Sequence, residues 1–196
     1  MFKELEKSVI LFTSLALICG VAYPLTMNAI GNSAFTPEAK GSLVYEGKTP
    51  IASTLIAQNF TQPQYFHPRP SMAGSDGYDG ASSSGSNLGY TSQKLHDAVK
   101  ERVEAYRSEN NLSISEKVPM DAVTASASGL DPHISVANAT IQAKRVAASR
   151  GIDESKVMDA LHKNAQKGYW GIIGEEKVNV VTLNLTLDRE FGKVKI

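Results

Sequence analysis

The chain has 196 residues, with 20 Lys and Arg balanced by 20 Asp and Glu, so its formal net charge is zero. That length suits one domain plus an appendage, and a neutral chain has no excess charge for attracting nucleic acid, which excludes that class of partner. The single cysteine, Cys19, excludes an internal disulfide and leaves no thiolate set for a zinc site.

No Asp, Glu, Lys or Arg occurs between Lys7 and Glu38, and most of Ser8 to Ile30 is apolar. Taken as a helix, residues 8–30 extend ~34 Å against a hydrocarbon core of about 30 Å, so a transmembrane helix is expected there. A cleaved secretory signal is the rival reading, but Asn32 spoils the small-x-small pattern ahead of Ala34, so the span is read as an uncleaved signal anchor. Lys3 and Lys7 precede the span and the next cation is Lys40. The positive-inside rule then places residues 1–7 in the cytoplasm and the rest of the chain outside a cell membrane crossed once. Ala16 and Gly20, four residues apart, form a small-xxx-small pair at which another helix can approach closely.

Residues 31–40 read as a linker and residues 41–196 as a soluble extracytoplasmic domain. SLVY is a short strand, EGKTP a turn, and IASTLIAQNF a short helix. Prolines 63, 68 and 70 and the Ser/Gly-rich loop 67–92 exclude regular elements, while Tyr65, Phe66, Tyr78 and Tyr90 are expected to pin this stretch to the domain. A helix capped by Thr91 or Ser92 runs to about Ser108, with Leu95, Val99, Val103 and Tyr106 on its inner stripe. A short helix opened by Pro119 leads into TASASGLDPHIS, residues 124–135.

Ser135 then caps a helix that Gly151 stops. Val136, Ala139, Ala143, Val146 and Ala147 give it an apolar face, and Asn138, Gln142, Arg145 and Ser149 share a polar stripe. The stripe reads as a solvated face, with contact to a partner or ligand as the other reading. Asp153 caps a further helix ending near Lys167. VNVVTLNLTLD alternates, with Val181, Leu183, Leu185 and Leu187 on one side, and reads as a strand. The fold class is therefore α/β or α+β: one N-terminal transmembrane helix followed by a small mixed domain.

Catalytic signatures are missing. There is no GxxxxGK[ST], no GxGxxG and no DKTGT, and Ser128 lacks the flanking glycines of GxSxG. His67, His96, His133 and His162 are too scattered for a metal site, so no catalytic residue and no metal are assigned.

Taken together, GSLV, IASTLIAQNF, YFHPRPS, the SSGSNLG segment, TASASGLDPHIS and GEEKVNVVTLNLTLD, behind the N-terminal span, resemble in order and spacing the C subunit of the bacterial Kdp-type potassium-transporting ATPase. The resemblance implies a non-catalytic subunit of a potassium-uptake pump, with a channel-like potassium-translocating subunit and a P-type ATP-hydrolysing subunit as partners. It implies no cofactor held stably by this chain, with ATP and potassium handled by the complex. It also implies a catalytic-chaperone role that raises the hydrolytic subunit's affinity for ATP, with Gln142 matching a glutamine proposed to contact nucleotide and Arg145 beside it. His67, Arg69, Ser86, Asn87, Ser128, Gly129, Asp131, His133 and Ser135 are the family-motif or partner-contact candidates. Val136 stands where the family commonly has proline, and Asn138 where it often has glutamate. The expected topology puts Gln142 across the membrane from ATP, so indirect coupling is the preferred reading. An anchored extracytoplasmic scaffold unrelated to transport, its Ser-Gly loop holding a ligand, is the alternative.

Overall fold

The computed structural model describes residues 2–168 and 174–193. The chain divides into two compact units, Met1–Ile51 and Ala52–Ile196. In the first, α1 (Phe2–Leu17), a π-helical turn (Ile18–Ala22) and α2 (Tyr23–Ala34) make one continuous apolar helix, none of it buried and long enough to cross a membrane. The wide turn has a covalent cause. Pro24 has no N–H to offer the carbonyl of Gly20 four residues back, and just before it the Tyr23 N–H reaches five residues back to Ile18.

After α3 (Thr36–Ala39), β1 (Leu43–Glu46) and β2 (Thr49–Ser53) pair in a two-stranded sheet. Gly47, at φ 62°, supplies the left-handed turn residue between them. This sheet takes the place of the helix expected over IASTLIAQNF. Its first residues are spent on strand pairing, and the Ala57 N–H donates to the distant Leu130 carbonyl (2.9 Å) instead of to a carbonyl four residues back.

The second unit contains α4 (Gln93–Asn110), α5 (Met120–Val123), β3 (His133–Ser135), α6 (Val136–Arg150), α7 (Glu154–Asn164), β4 (Ala165–Gln166), β5 (Lys177–Asn179) and α8 (Val180–Phe191). This is the expected mixed class. β5 lies between β3 and β4, antiparallel to both, with Ile134 opposite Val178. The helices bury a core of Ile134, Ala139, Ala143, Val146, Val157, Leu161, Val178, Leu183 and Leu187, and Phe66 enters it from the long loop. The start of α6 agrees with the sequence reading: Ser135 Oγ accepts the Asn138 N–H (3.1 Å), and Gly151 ends the helix at φ 66°.

The strand expected over VNVVTLNLTLD is corrected. Only Lys177–Asn179 is extended, and the remainder is α8. Asn179 turns the chain into a helix by accepting the Thr182 N–H on its side chain (3.1 Å). The buried set Val180, Val181, Leu183, Asn184 and Leu187 has helical spacing, whereas Leu185, required inside by a strand, is only half-buried. The threonines adapt to the helix by donating backward, Thr182 Oγ1 to the Asn179 carbonyl and Thr186 Oγ1 to the Thr182 carbonyl. Tyr90 is a second correction: it is 85% exposed and anchors nothing, while Phe66 is fully buried and the half-buried Tyr78 hydroxyl donates to the Arg69 carbonyl (2.9 Å).

Asn179 also donates to the Thr54 carbonyl (2.8 Å), so it both starts α8 and ties down the segment after β2. Asn179→Ala should lower stability by about 1–2 kcal/mol through loss of the cap. The thermal midpoint of the helical circular dichroism signal measures this, and an unchanged midpoint would contradict the cap.

Candidate functional site

The polar stripe of α6 faces inward. Asn138, Gln142 and Arg145 are 0%, 2% and 8% exposed, and only Ser149 at its end reaches solvent, so the solvated-face reading is overturned. Gln142 and Arg145 turn inward to segment 62–67, whose backbone belongs to no sheet or helix and needs buried partners, and Asn138 turns to Tyr106 and Asp121. Gln142 Oε1 accepts the His67 N–H (2.7 Å) and Gln142 Nε2 donates to the His67 carbonyl (3.1 Å). One residue earlier, Asn184 of α8 does the same for Phe66, accepting its N–H at 2.8 Å and donating to its carbonyl at 2.9 Å.

Arg145 completes the arrangement. Its Nη1 donates to the carbonyls of Pro63 (2.6 Å) and Tyr65 (3.0 Å), Nη2 to Gln142 Oε1 (2.9 Å), and Nε to Asn110 Oδ1 (3.2 Å). Burial pulls its guanidinium below the usual range, against the opposing attraction of Glu109. Glu109 Oε1 lies 3.6 Å from Arg145 Nε and 2.8 Å from His67 Nδ1. Burial pushes the Glu109 carboxyl up, but the His67 hydrogen bond and the charges of His67 and Arg145 outweigh it, and the net shift is downward. Tyr106 donates to Asn138 Oδ1 (2.8 Å), which also accepts from Gln142 Nε2 (2.8 Å). Burial, seconded by the charge of Asp121, raises the Tyr106 phenol well above its ordinary value. His67, Tyr106, Glu109 and Gln142 line a cavity of about 330 Å³.

The remaining candidates gather in a second cluster. Arg69 Nη1 meets Asp131 Oδ2 at 3.4 Å, and Asp131 Oδ1 accepts from the His133 N–H (3.0 Å) and faces its Nδ1 at 3.2 Å. Burial opposes the charge on Asp131, yet the bonds from His133 and the Arg69 charge hold its carboxyl below the usual range. Ser128 Oγ accepts the Leu130 N–H (3.1 Å), and its carbonyl accepts from Ser83 Oγ and the Ser84 N–H. Gly129 is obligatory: it has φ 70°, and a Cβ there would lie 2.5 Å from the Ser84 carbonyl oxygen and 2.8 Å from Ala73. Ser86 and Asn87 follow Gly85, which packs on the Ala127 backbone, and Asn87 is an exposed left-handed residue at φ 52°.

Arg69, Asp131 and His133 border two open clefts, of about 1120 and 570 Å³; Asp121 and Ser135 line the larger and Ser128 the smaller. No group of three metal-ligating acidic, His or Cys side chains exists among the described residues. Ala16 and Gly20 are exposed on the N-terminal helix, and Gly20 has open space where a side chain would stand.

Sequence reasoning missed Asp121, Glu109 and Asn184. Asp121 accepts from the Ser135 N–H (2.7 Å), Ser135 Oγ (3.1 Å) and Asn138 Nδ2 (3.1 Å), which fixes the start of α6. Asn184 carried a usable signal, an amide at a core position among Val180, Leu183 and Leu187, but only once those residues are placed on a helix.

The family model for the K+-transporting ATPase c chain, KdpC, matches residues 5–189, which include both clusters. The chain belongs to this family. The KdpC subunit of the potassium-transporting ATPase of Mycobacterium tuberculosis (strain ATCC 25618 / H37Rv) is 48% identical over 189 residues, covering 96% of this chain and all of that subunit. The KdpC subunit of Rhodospirillum rubrum is 47% identical over 191 residues, 97% of this chain and 98% of the relative. That of Myxococcus xanthus is 47% identical over 177 residues, 90% and 83% of the two chains. As a KdpC-family chain it is an accessory subunit of a potassium-transporting ATPase and not the catalytic one. This sets aside the scaffold unrelated to transport. Its N-terminal helix is long and apolar enough to cross a membrane.

Gln142→Ala would strand the His67 N–H and carbonyl and one Arg145 N–H, at about 1–3 kcal/mol for each buried orphan. Urea unfolding should show a loss of ~2–5 kcal/mol, against no change for the exposed Ser149→Ala. Equal curves would refute the clamp. Glu109 has a folded pKa below its unfolded one, so its contribution is present above the unfolded value near pH 4.5 and is lost as pH falls through the folded value. Thermal midpoints measured from pH 6 to pH 3 should therefore fall less steeply in Glu109→Gln than in the parent.

Proposed function

We propose that this chain is a non-catalytic subunit required to assemble an ATP-driven potassium-uptake complex, and that it raises the ATP affinity of the hydrolytic subunit without touching the nucleotide. The partners are a channel-like potassium-translocating subunit and a P-type ATP-hydrolysing subunit. The apolar N-terminal helix packs between their spans, and the domain stays extracytoplasmic. The burial and internal bonding of Gln142 and Arg145 carry the indirect reading. Every polar group on the Gln142 carboxamide is bonded inside the domain, and Arg145 is spent on two backbone carbonyls, Asn110 and Gln142. Gln142 has no free donor, and four of the five Arg145 N–H groups are committed inside the domain on a guanidinium that is itself buried, so neither side chain is set out to meet a phosphate or a base. Coupling then acts through contacts that differ between two states of the pump, as allosteric linkage requires.

Ser149 lies at the exposed end of the α6 stripe and reports the side of the membrane. In a Cys19→Ser background, Ser149→Cys should react with a membrane-impermeant maleimide on intact cells without permeabilisation. Reaction only after permeabilisation would sink the topology. In the purified complex, omitting this subunit should raise the KM for ATP, while Ser149→Cys leaves it unchanged. An unchanged KM on omission would remove the affinity role, and recovery of an intact complex after deletion of residues 8–30 would remove the assembly role of the helix.

A further inference from the structure

His67 stands where the turn at residues 62–65, α4 and α6 meet. Its ring is mostly enclosed, with Nδ1 2.8 Å from the Glu109 carboxylate and Nε2 3.0 Å from the Gln62 carbonyl oxygen. Both partners are acceptors only, and a neutral imidazole has a single N–H to donate. Only the doubly protonated ring makes both bonds. We propose that His67 is a proton-dependent latch: the imidazolium ties the Gln62 carbonyl to Glu109 of α4, and loss of one ring proton frees that carbonyl while Arg145 and Arg150 keep hold of the Pro63, Gln64 and Tyr65 carbonyls.

The surroundings confine the change to the latch. From α4, Arg102, Tyr106 and Glu109 line the cavity around the ring; from the loop, Tyr78 does. From α6 the charged group is Arg145, which stays paired with Glu109 when the ring becomes neutral, while Asn138 and Gln142 are uncharged amides. The Gln142 clamp on the His67 backbone does not titrate, so the chain remains seated. The cavity of about 330 Å³ gives the released ring room to turn. The Gln62 carbonyl also accepts the Tyr65 N–H (3.0 Å), which makes the Tyr65 amide the reporter of the turn. Histidine is the side chain that ordinarily changes charge between about pH 5 and 8, the range an outward-facing domain meets. Exposure to that range rests on the extracytoplasmic reading above, but the latch itself does not.

The test uses the full-length chain in detergent micelles with ring-15N histidine, His67 being assigned by its disappearance in His67→Gln. At pH 5.5 both His67 ring nitrogens should carry protons, and by pH 8.5 one should be lost. Hydrogen-exchange protection of the Tyr65 amide, corrected for base catalysis, should drop about tenfold over the same range, the equivalent of one ordinary hydrogen bond. The drop should be absent in His67→Gln, where the backbone clamp is retained. A ring whose protonation does not change between these values, or Tyr65 protection that stays constant while the ring titrates, would overturn the latch. Because the NMR result is independent of membrane sidedness, failure of the latch and failure of the topology are separately visible.

Discussion

Two side-chain amides on one dipeptide hold this domain together. Asn184 and Gln142 each present a donor and an acceptor to the backbone of Phe66 and His67, as a neighbouring strand would, but they do so from two helices. A carboxamide suits this because it has the hydrogen-bonding groups of a peptide unit. The stakes are large. Four backbone groups left unpaired in a buried setting would cost about 1–3 kcal/mol each, comparable with the ~5–15 kcal/mol by which a typical domain is stable at all. With the clamps closed, the proline-rich stretch becomes part of the core, and the Phe66 ring sits fully buried among the side chains of α6, α7 and α8.

The rest of α6 follows from the same constraint. At its start, Asp121 collects Ser135 and Asn138 and fixes where the helix begins. At its middle, Arg145 ties down the Pro63 and Tyr65 carbonyls. At its end, Arg150 pairs with Asp188 of α8 at 2.8 Å, donates to the Gln64 carbonyl and lies over the Tyr65 ring. Burial, with the Asp188 charge and hydrogen bond adding to it, raises the Tyr65 phenol, whose hydroxyl donates to that carboxylate. One helix thus grips residues 62–67 over most of its length. Such a saturated polar network is rigid, because moving any member orphans another.

The sequence made local features legible and long-range ones not. Ser135, Gly151 and the apolar face of α6 are decided by neighbours a few residues away, so spacing and cap chemistry find them. The polar stripe is different. Whether Gln142 and Arg145 meet water or backbone depends on a segment some 75 residues upstream, and no periodicity encodes that distance. The misread of VNVVTLNLTLD has a sharper cause. Val181, Leu183, Leu185 and Leu187 satisfy a period of two, while Val180, Leu183, Asn184 and Leu187 satisfy a helix, and β-branched residues favour the first by propensity. The choice falls to Asn179, a residue just inside the motif whose cap tips the chain into a helix, and to Asn184, which would be an unpaired polar core residue until Phe66 is placed against it.

The segment TASASGLDPHIS reads differently beside these constraints. It has the small residues, carboxylate and imidazole of an active-site loop, yet each is committed to architecture. Ser128 Oγ holds the Leu130 N–H, Asp131 holds the His133 N–H, and Ser71 Oγ, donating to the Gly129 carbonyl at 2.6 Å, also accepts the N–H groups of Ala73 and Tyr78. Gly129 lets the Ser-Gly loop approach closer than any side chain would permit. The segment is a buttress joining the long loop to the entry of α6. A nucleophile must be free to leave its hydrogen bonds and attack, and here release would loosen the loop that the bond holds. Serine hydroxyls and glycine contacts thus give the loop one fixed form, with its polar groups spent on holding that form.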